Sequence, residues 1–172
     1  MGNGCSRVSD FQTAIGPLLQ REGSQFIAND NGRGSCKWGI TRKTAREFYP
    51  NCSDDDIARM TPEQAEEFYR MHFWERYQIG RITDQALAER VFDMAVNMGG
   101  GTAVKMLQRV VGVKADGILG PHTAAMTNMT QPGEVIGGLK ITARRHYEQL
   151  AAADPEKYGD DLPGWLNRLE RV

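Results

Sequence analysis

Glu22 and Asp30 are the residues of this chain whose type and spacing best suit acid–base chemistry. They lie in the stretch LLQREGSQFIANDNGRGSCKWGIT, Leu18 to Thr41. At about 100° per residue on a helix, Phe11, Ile15, Leu18 and Glu22 fall on one stripe, so the carboxylate continues an apolar face. It also sits at the C-terminal end of the helix, where the macrodipole is negative. Desolvation and the dipole both favour the protonated carboxyl, the form a general acid needs near neutral pH. The plainer alternative is a surface glutamate at a frayed helix end, neutralised by Arg21 or Lys37. Gly23, directly behind it, reads as a helix cap. Asp30, eight residues on, supplies a second carboxylate. Such a pair suits cleavage of a glycosidic bond: one carboxyl protonates the leaving oxygen, and the other acts as nucleophile, activates a water or stabilises an oxocarbenium-like state.

The elements that must position these groups are helices joined by short turns. Ser9 with Gln12 reads as a capping box. Phe11, Ala14, Ile15, Leu18 and Leu19 follow as an amphipathic face, with a bend expected at Gly16-Pro17. Gln25–Ala28 and Lys37–Ile40 read as two short strands around the turn dipeptide Asn31-Gly32, a small irregular hairpin. Helices resume at Thr41. Ser53 with Asp56 caps a short turn, and Thr61-Pro62 with Gln64 marks a strong helix start. The aromatic cluster Phe68, Tyr69, Phe73, Trp74 and Tyr77 reads mostly as core. Thr83-Asp84 open a central helix with the stripe Leu87, Val91, Met94, Ala95 and Met98. Gly99-Gly100-Gly101 close that helix and mark the internal boundary. Beyond it, Val104, Leu107 and Val111 share a helix stopped at Gly112. Asp116-Gly117 and Gly120-Pro121 punctuate a structural connection. Further helices run from Pro121 to Met129 and onward from Pro132-Gly133, the latter carrying Ile136, Leu139, Ala143, Tyr147 and Leu150. Trp165, Leu166, Leu169 and Val172 give the tail enough apolar surface to dock.

Composition narrows the possible functions. A chain of 172 residues with 21 basic and 22 acidic side chains has a net charge of -1, so no global field favours a polyanion. No apolar run approaches the ~20 residues of a membrane span, and the first ten residues lack the apolar core of a secretory signal. Met1-Gly2 with Ser6 matches a short myristoylation pattern. Cys5, Cys36 and Cys52 have no metal-like spacing and read as reduced thiols. His72, His122 and His146 lie far apart in the sequence. No metal and no cofactor is expected.

Three segments carry a family resemblance. Glu22-Gly23-Ser24, followed by Arg33-Gly34-Ser35-Cys36-Lys37-Trp38-Gly39-Ile40-Thr41, resembles the glycoside hydrolase 108 pattern of E-G-G, an Asp-rich loop and G-G-x-T-N-x-G-I-T. FYRMHFWERY, Phe68 to Tyr77, is similar to that family's tyrosine-tryptophan helix. VFDMAVNMGGGTAVKMLQRVVGVKADGILGPHT, Val91 to Thr123, resembles the peptidoglycan-binding region that follows the catalytic region, and GWLNRL, Gly164 to Leu169, is like its end. The resemblance spans about Val8 to Val172. It implies a mainly α, lysozyme-like orthogonal helix bundle with the small irregular β-hairpin after the first helix. The catalytic region would cover 8–98 and the peptidoglycan-binding region 99–172, packed as one compact unit with the groove between the lobes.

The function implied is that of an endolysin-type N-acetylmuramidase. It would act on the peptidoglycan glycan strand as a monomer, without nucleic acid or membrane insertion, and would leave the cytoplasm through a holin pore. Glu22 matches the family's acid, and Asp30 aligns approximately with its loop aspartate. Asn97 would hydrogen-bond an N-acetyl group or cap its helix. Trp38 would stack on a sugar or anchor the hairpin. Cys36 and Lys37 replace the family's Thr-Asn; Cys36 stands where a hydroxyl could position a water, which a thiol does poorly. The alternatives are a lytic transglycosylase, which needs a single glutamate, and a non-catalytic wall-binding or regulatory module.

Overall fold

The computed structural model describes residues 8–30, 32 and 34–171. The myristoylation pattern, Cys5, Asn31, Arg33 and Val172 lie outside the described residues. The chain is mainly helical, with one small antiparallel hairpin following the first helix, as the sequence predicts. By compactness it divides into two units, one of residues 11–72 and another that joins the described residues before Phe11 to those from Phe73 onward.

In the 11–72 unit, helix α1 (Phe11–Glu22) buries Phe11, Ala14, Ile15 and Leu18 and continues through Pro17, which faces solvent. The Ser9–Gln12 capping box does not form. Helix α1 begins at Phe11, so Gln12 is one position short of the reciprocal site. Its Nε2 instead donates to Glu66 Oε1 at 2.6 Å. The other local signals act as read. Thr41 caps α2 (Arg42–Arg46), Ser53 and Asp56 form a reciprocal box on α3 (Asp54–Arg59), and Thr61 and Gln64 form another on α4 (Pro62–Tyr69).

The hairpin differs from the expected register. Strand β1 (Cys36–Lys37) pairs with β2 (Ile40–Thr41), Cys36 opposite Thr41 and Lys37 opposite Ile40. The run Lys37–Ile40, read as one strand, therefore folds on itself, and its two-residue turn is Trp38-Gly39. Ile27 makes a single antiparallel bridge to Cys36, so only one residue of Gln25–Ala28 joins the ladder.

In the second unit a π-helical turn (Arg70–Glu75, which begins in the preceding unit) leads to a 3₁₀ turn (Ile79–Arg81). Five helices then supply the packing: α5 (Gln85–Met98), α6 (Gly100–Val110), α7 (Pro121–Met129), α8 (Pro132–Ala153) and, after the short α9 (Pro155–Tyr158), α10 (Leu162–Arg171). Asp84 caps α5 through the Leu87 amide. Buried Leu87, Val91, Met94 and Ala95 confirm its stripe, while Met98 is half-exposed. The α5 interior also holds two charges that periodicity does not reveal. Asp93, 5% exposed at its side chain, receives a fork of hydrogen bonds from Arg168 of α10, the shortest 2.9 Å. Arg90 donates through Nη1 to the Leu169 carbonyl at 2.9 Å. These bonds, with Trp165 stacked on Tyr147 at 4.8 Å, dock the tail. On α8 the buried row is Val135, Leu139, Ala143, Tyr147 and Ala151. Ile136 and Leu150 are half-exposed, because the buried row keeps a spacing of four and they lie beside it.

Gly99 ends α5 with φ of 86°, and Gly100 and Gly101 already belong to α6. A Cβ on Gly100 would meet the Tyr77 ring at 2.1 Å. Gly100→Ala is therefore expected to destabilise the protein by about 1–3 kcal/mol, the usual cost of forcing an atom into a packed contact. A chemical melt reads this directly, and an unchanged midpoint would mean the ring moves aside freely.

The ADGILGP connection is held from below by Gln108, which is 1% exposed. Its Nε2 lies 2.7 Å from Asp116 Oδ1 and 3.0 Å from the Ile118 carbonyl, and its Oε1 accepts from the Gly117 amide at 2.8 Å. Hydrogen bonds from Gln108 and then from the Ile118 amide hold the Asp116 carboxyl below its ordinary value. Folding thus favours the ionised form. The contribution is complete above the ordinary aspartate range, about pH 4, and disappears as pH falls through the lower folded value. Melting temperatures of wild type and Asp116→Asn should differ at pH 7 and converge in acid. A gap independent of pH would rule out this linkage.

Candidate active site

Glu22 is the last residue of α1, one turn beyond fully buried Leu18. Gly23 then takes φ of 76°, and its amide closes the helix on the Leu19 carbonyl at 3.0 Å. Glu22 is half-exposed. The stripe of Phe11, Ile15 and Leu18 therefore surfaces at its fourth member, and Glu22 is only partly buried where the apolar stripe predicts a buried carboxyl. The last turn of a helix runs out of partners on one side, which leaves this carboxyl reachable from solvent.

What lies against Glu22 is the hairpin tip. A Cβ on Gly39 would stand 2.5 Å from Glu22 Oε2 and 2.7 Å from its Cγ. The carboxylate therefore occupies the space that any side chain at position 39 would need. Trp38 and Gly39 have φ of 54° and 74°, the positive values that a type I′ turn requires at both central positions. Gly39 adopts this freely; Trp38 does so at a steric cost. Two hydrogen bonds hold the tryptophan there. Its Nε1 donates to the Met60 carbonyl at 3.3 Å, and its own carbonyl accepts from the Tyr69 hydroxyl at 2.9 Å. Tyr69 is 1% exposed, so the support comes from the core of this unit.

The neighbouring letters of the motif are structural. Lys37 Nζ donates to the Ala58 carbonyl at 2.8 Å. With Trp38 it thereby satisfies carbonyls at the end of α3 that have no helical partner. Ile40 is buried, and Thr41 Oγ1 accepts from the Thr44 amide at 3.1 Å to start α2. The outer loop is braced by Asp54, which accepts from the Ser35 amide at 3.3 Å and from Arg42 Nη1. Hydrogen bonding from Ser35, followed by the charge of Arg42, holds the Asp54 carboxyl below its ordinary value.

Of the residues singled out in the sequence, Glu22 and the Trp38-Gly39 tip come together. The indole of Trp38 is half-exposed, and its hydrogen bond to Met60 ties the hairpin to the end of α3. Asp30 is half-buried, and its amide donates to the Gly34 carbonyl at 2.8 Å, which closes the tip of the outer loop. Cys36 is 8% exposed and exchanges backbone hydrogen bonds with Ile27 at 2.8 and 2.9 Å. Asn97 belongs to the other compact unit. It is exposed, and its Nδ2 donates to the Asp93 carbonyl at 2.9 Å and to Asp93 Oδ2 at 3.1 Å.

The sequence does not show that Gly39 seats Glu22 or that the core residue Tyr69 supports the turn, and it does not single out Phe26, which is 40% accessible on the segment between Glu22 and β1. The signal available for Phe26 was an aromatic in a loop otherwise built of small and polar residues. The large cavity of this unit, about 760 Å³, lies among α2, α3 and α4 and is lined by Phe48, Tyr49, Met60 and Phe68 among others. Glu22 and the hairpin tip do not line it. Among the described residues no cluster of three or more His, Cys, Asp or Glu side chains is placed to hold a metal ion.

Residues 15–99 match the model for Glycosyl hydrolase 108, and residues 102–170 match the one described as a Predicted Peptidoglycan domain. The chain belongs to the glycosyl hydrolase 108 family. As a member of that family it is a peptidoglycan-related glycoside hydrolase. The segment matched to the glycosyl hydrolase 108 model contains Glu22, the hairpin and the aromatic helix, while the peptidoglycan segment contains the Gln108-supported turn and the docked tail. Among solved structures, "Structure of Brucella abortus SagA" has a TM-score of 0.74 at 22% identity and covers 92% of each chain; at that identity the likeness is one of fold. No curated protein matches the chain.

Proposed function

We propose that this glycosyl hydrolase 108 protein is an N-acetylmuramidase. In this reading it cuts the bond between N-acetylmuramic acid and N-acetylglucosamine, with Glu22 as the general acid. The observation that carries the reading is the contact between Glu22 and Gly39. A carboxylate at the end of a helix is ordinarily mobile, and here the backbone of a braced turn limits where it can go. Its half-exposure lets a glycosidic oxygen approach.

Glu22 donates its proton to the leaving oxygen as the C–O bond breaks. Asp30, or a water held by its loop, completes the reaction from the opposite face of the sugar. Phe26 offers an apolar ring face to the glycan. The biological role that follows is that of an endolysin, released through a holin pore onto the wall.

Mass spectrometry of digested peptidoglycan tests the proposal. Reducing muramic ends are expected. Anhydromuramic ends would make the protein a lytic transglycosylase, and wall binding with no cleavage at all would make it a non-catalytic module.

A further inference from the structure

The unit from Phe73 onward contains a cleft of about 210 Å³ lined by Arg76, Tyr77, Gln78, Gly117, Ile118 and Leu119. One wall is the turn that follows the π-helical segment, and the other is the ADGILGP turn. Four observations set it apart from an ordinary surface dimple. First, the turn is held by buried Gln108 through bonds on both sides of Gly117, yet the side chain it presents outward is Ile118, 63% exposed. A rigid turn that displays a large aliphatic group is built for contact. Second, Gln78 has φ of 54°, a conformation that costs energy away from glycine and is found where the surrounding structure imposes it. Third, the exposed guanidinium of Arg76 lies 5.9 Å from the Tyr77 ring centroid. Fourth, Lys105 packs over Gly117, its Cε 3.3 Å from where a Cβ would be, so a second exposed cation borders the same turn.

Two cations, an aromatic edge and an aliphatic side chain around a small cleft fit a ligand that combines carboxylates with small apolar groups. Asp116, the acidic residue of the turn, already accepts from Gln108 and the Ile118 amide. Glu75, next to Arg76, is exposed and is the nearest acidic neighbour in sequence. Peptidoglycan offers such a ligand in its peptide stem, where alanyl methyls alternate with free carboxylates. We infer that this cleft is a subsite for the acidic peptide stem, with Arg76 pairing with a stem carboxylate and Ile118 and Tyr77 covering an alanyl methyl. The inference rests on the proposed peptidoglycan substrate and deepens it: the protein would distinguish peptide-bearing glycan from bare glycan.

Two measurements test it. In the first, the free stem peptide L-alanyl-γ-D-glutamyl-lysine is titrated into the full-length protein and followed by NMR. Shifts are expected at Arg76, Gln78 and Gly117–Leu119, with affinity reduced on the order of tenfold in Arg76→Ala, as for loss of a charge-assisted pair. Arg76→Lys should recover it only in part, because a lysine cannot make the bidentate contact. In the second, the ratio of kcat/KM on intact peptidoglycan to that on glycan stripped of its peptides by an amidase is compared between wild type and Arg76→Ala. The ratio should fall on the order of tenfold. An absence of shifts in the cleft, or a ratio unchanged by Arg76→Ala, would overturn the subsite. If wild type cleaves neither glycan, the muramidase proposal fails, while the peptide titration still decides the cleft.

Discussion

Glu22→Gln is expected to lower lysis of outer-membrane-stripped cells by roughly 10²–10⁴-fold, the contribution typical of a positioned general acid. Glutamine has the size and shape of glutamate but carries no transferable proton. Because Glu22 is half-exposed and ends its helix, the exchange should leave the thermal midpoint and wall binding near wild type. That separation matters: a loss of lysis accompanied by unfolding would say nothing about catalysis. A glutamine variant that lyses walls at the wild-type rate would remove Glu22 from the mechanism. The same turbidity assay on Asp30→Asn reports on the second carboxylate. A smaller loss there would fit a reaction completed by a water held in the loop, and a comparable loss would fit direct participation.

Gly39→Ala should be nearly as damaging, although residue 39 has no chemistry of its own. Two effects coincide there. The backbone has φ of 74°, a conformation that costs an L-residue about 1–2 kcal/mol. In addition, the new Cβ would stand 2.5 Å from Glu22 Oε2, so the carboxyl must move. Displacing a reacting group by about 1 Å can cost on the order of 10²-fold in rate. The expected result is a modest drop in the thermal midpoint together with a fall in kcat of that order. Combined with Glu22→Gln, the two losses should not multiply, because a misplaced amide is no worse a proton donor than a well-placed one. Multiplicative losses would mean that Gly39 acts through something other than the position of Glu22, such as the fold of the hairpin itself.

Much of this protein is legible residue by residue. The caps at Ser53, Thr61 and Asp84 are found where their sequences place them, and α7 and α8 begin at Pro121 and Pro132 as read. The apolar stripe that leads to Glu22 is real as far as Leu18. The failures have one pattern. The Ser9–Gln12 box does not form because the helix starts one residue later than the box needs. Asn31-Gly32 is the familiar turn dipeptide, yet the two-residue turn of the hairpin is Trp38-Gly39. A tryptophan with positive φ carries no local signal, since its conformation is bought by Met60 and by Tyr69, thirty-one residues away. Gln108 likewise reads as an ordinary helix residue until the Asp116 turn folds over it.

Where most of the helices begin and end, and which of their faces turn inward, can be read from short stretches of chain. Caps, prolines and apolar periodicity act within one or two turns of chain, so they are written next to the residues they control. Tertiary structure decided which turn makes the hairpin, how far Glu22 is buried, and that its carboxylate rests on Gly39. Each of these depends on atoms brought together from distant positions, and the energy that selects them is packing and hydrogen bonding between elements, which no local stretch of sequence displays.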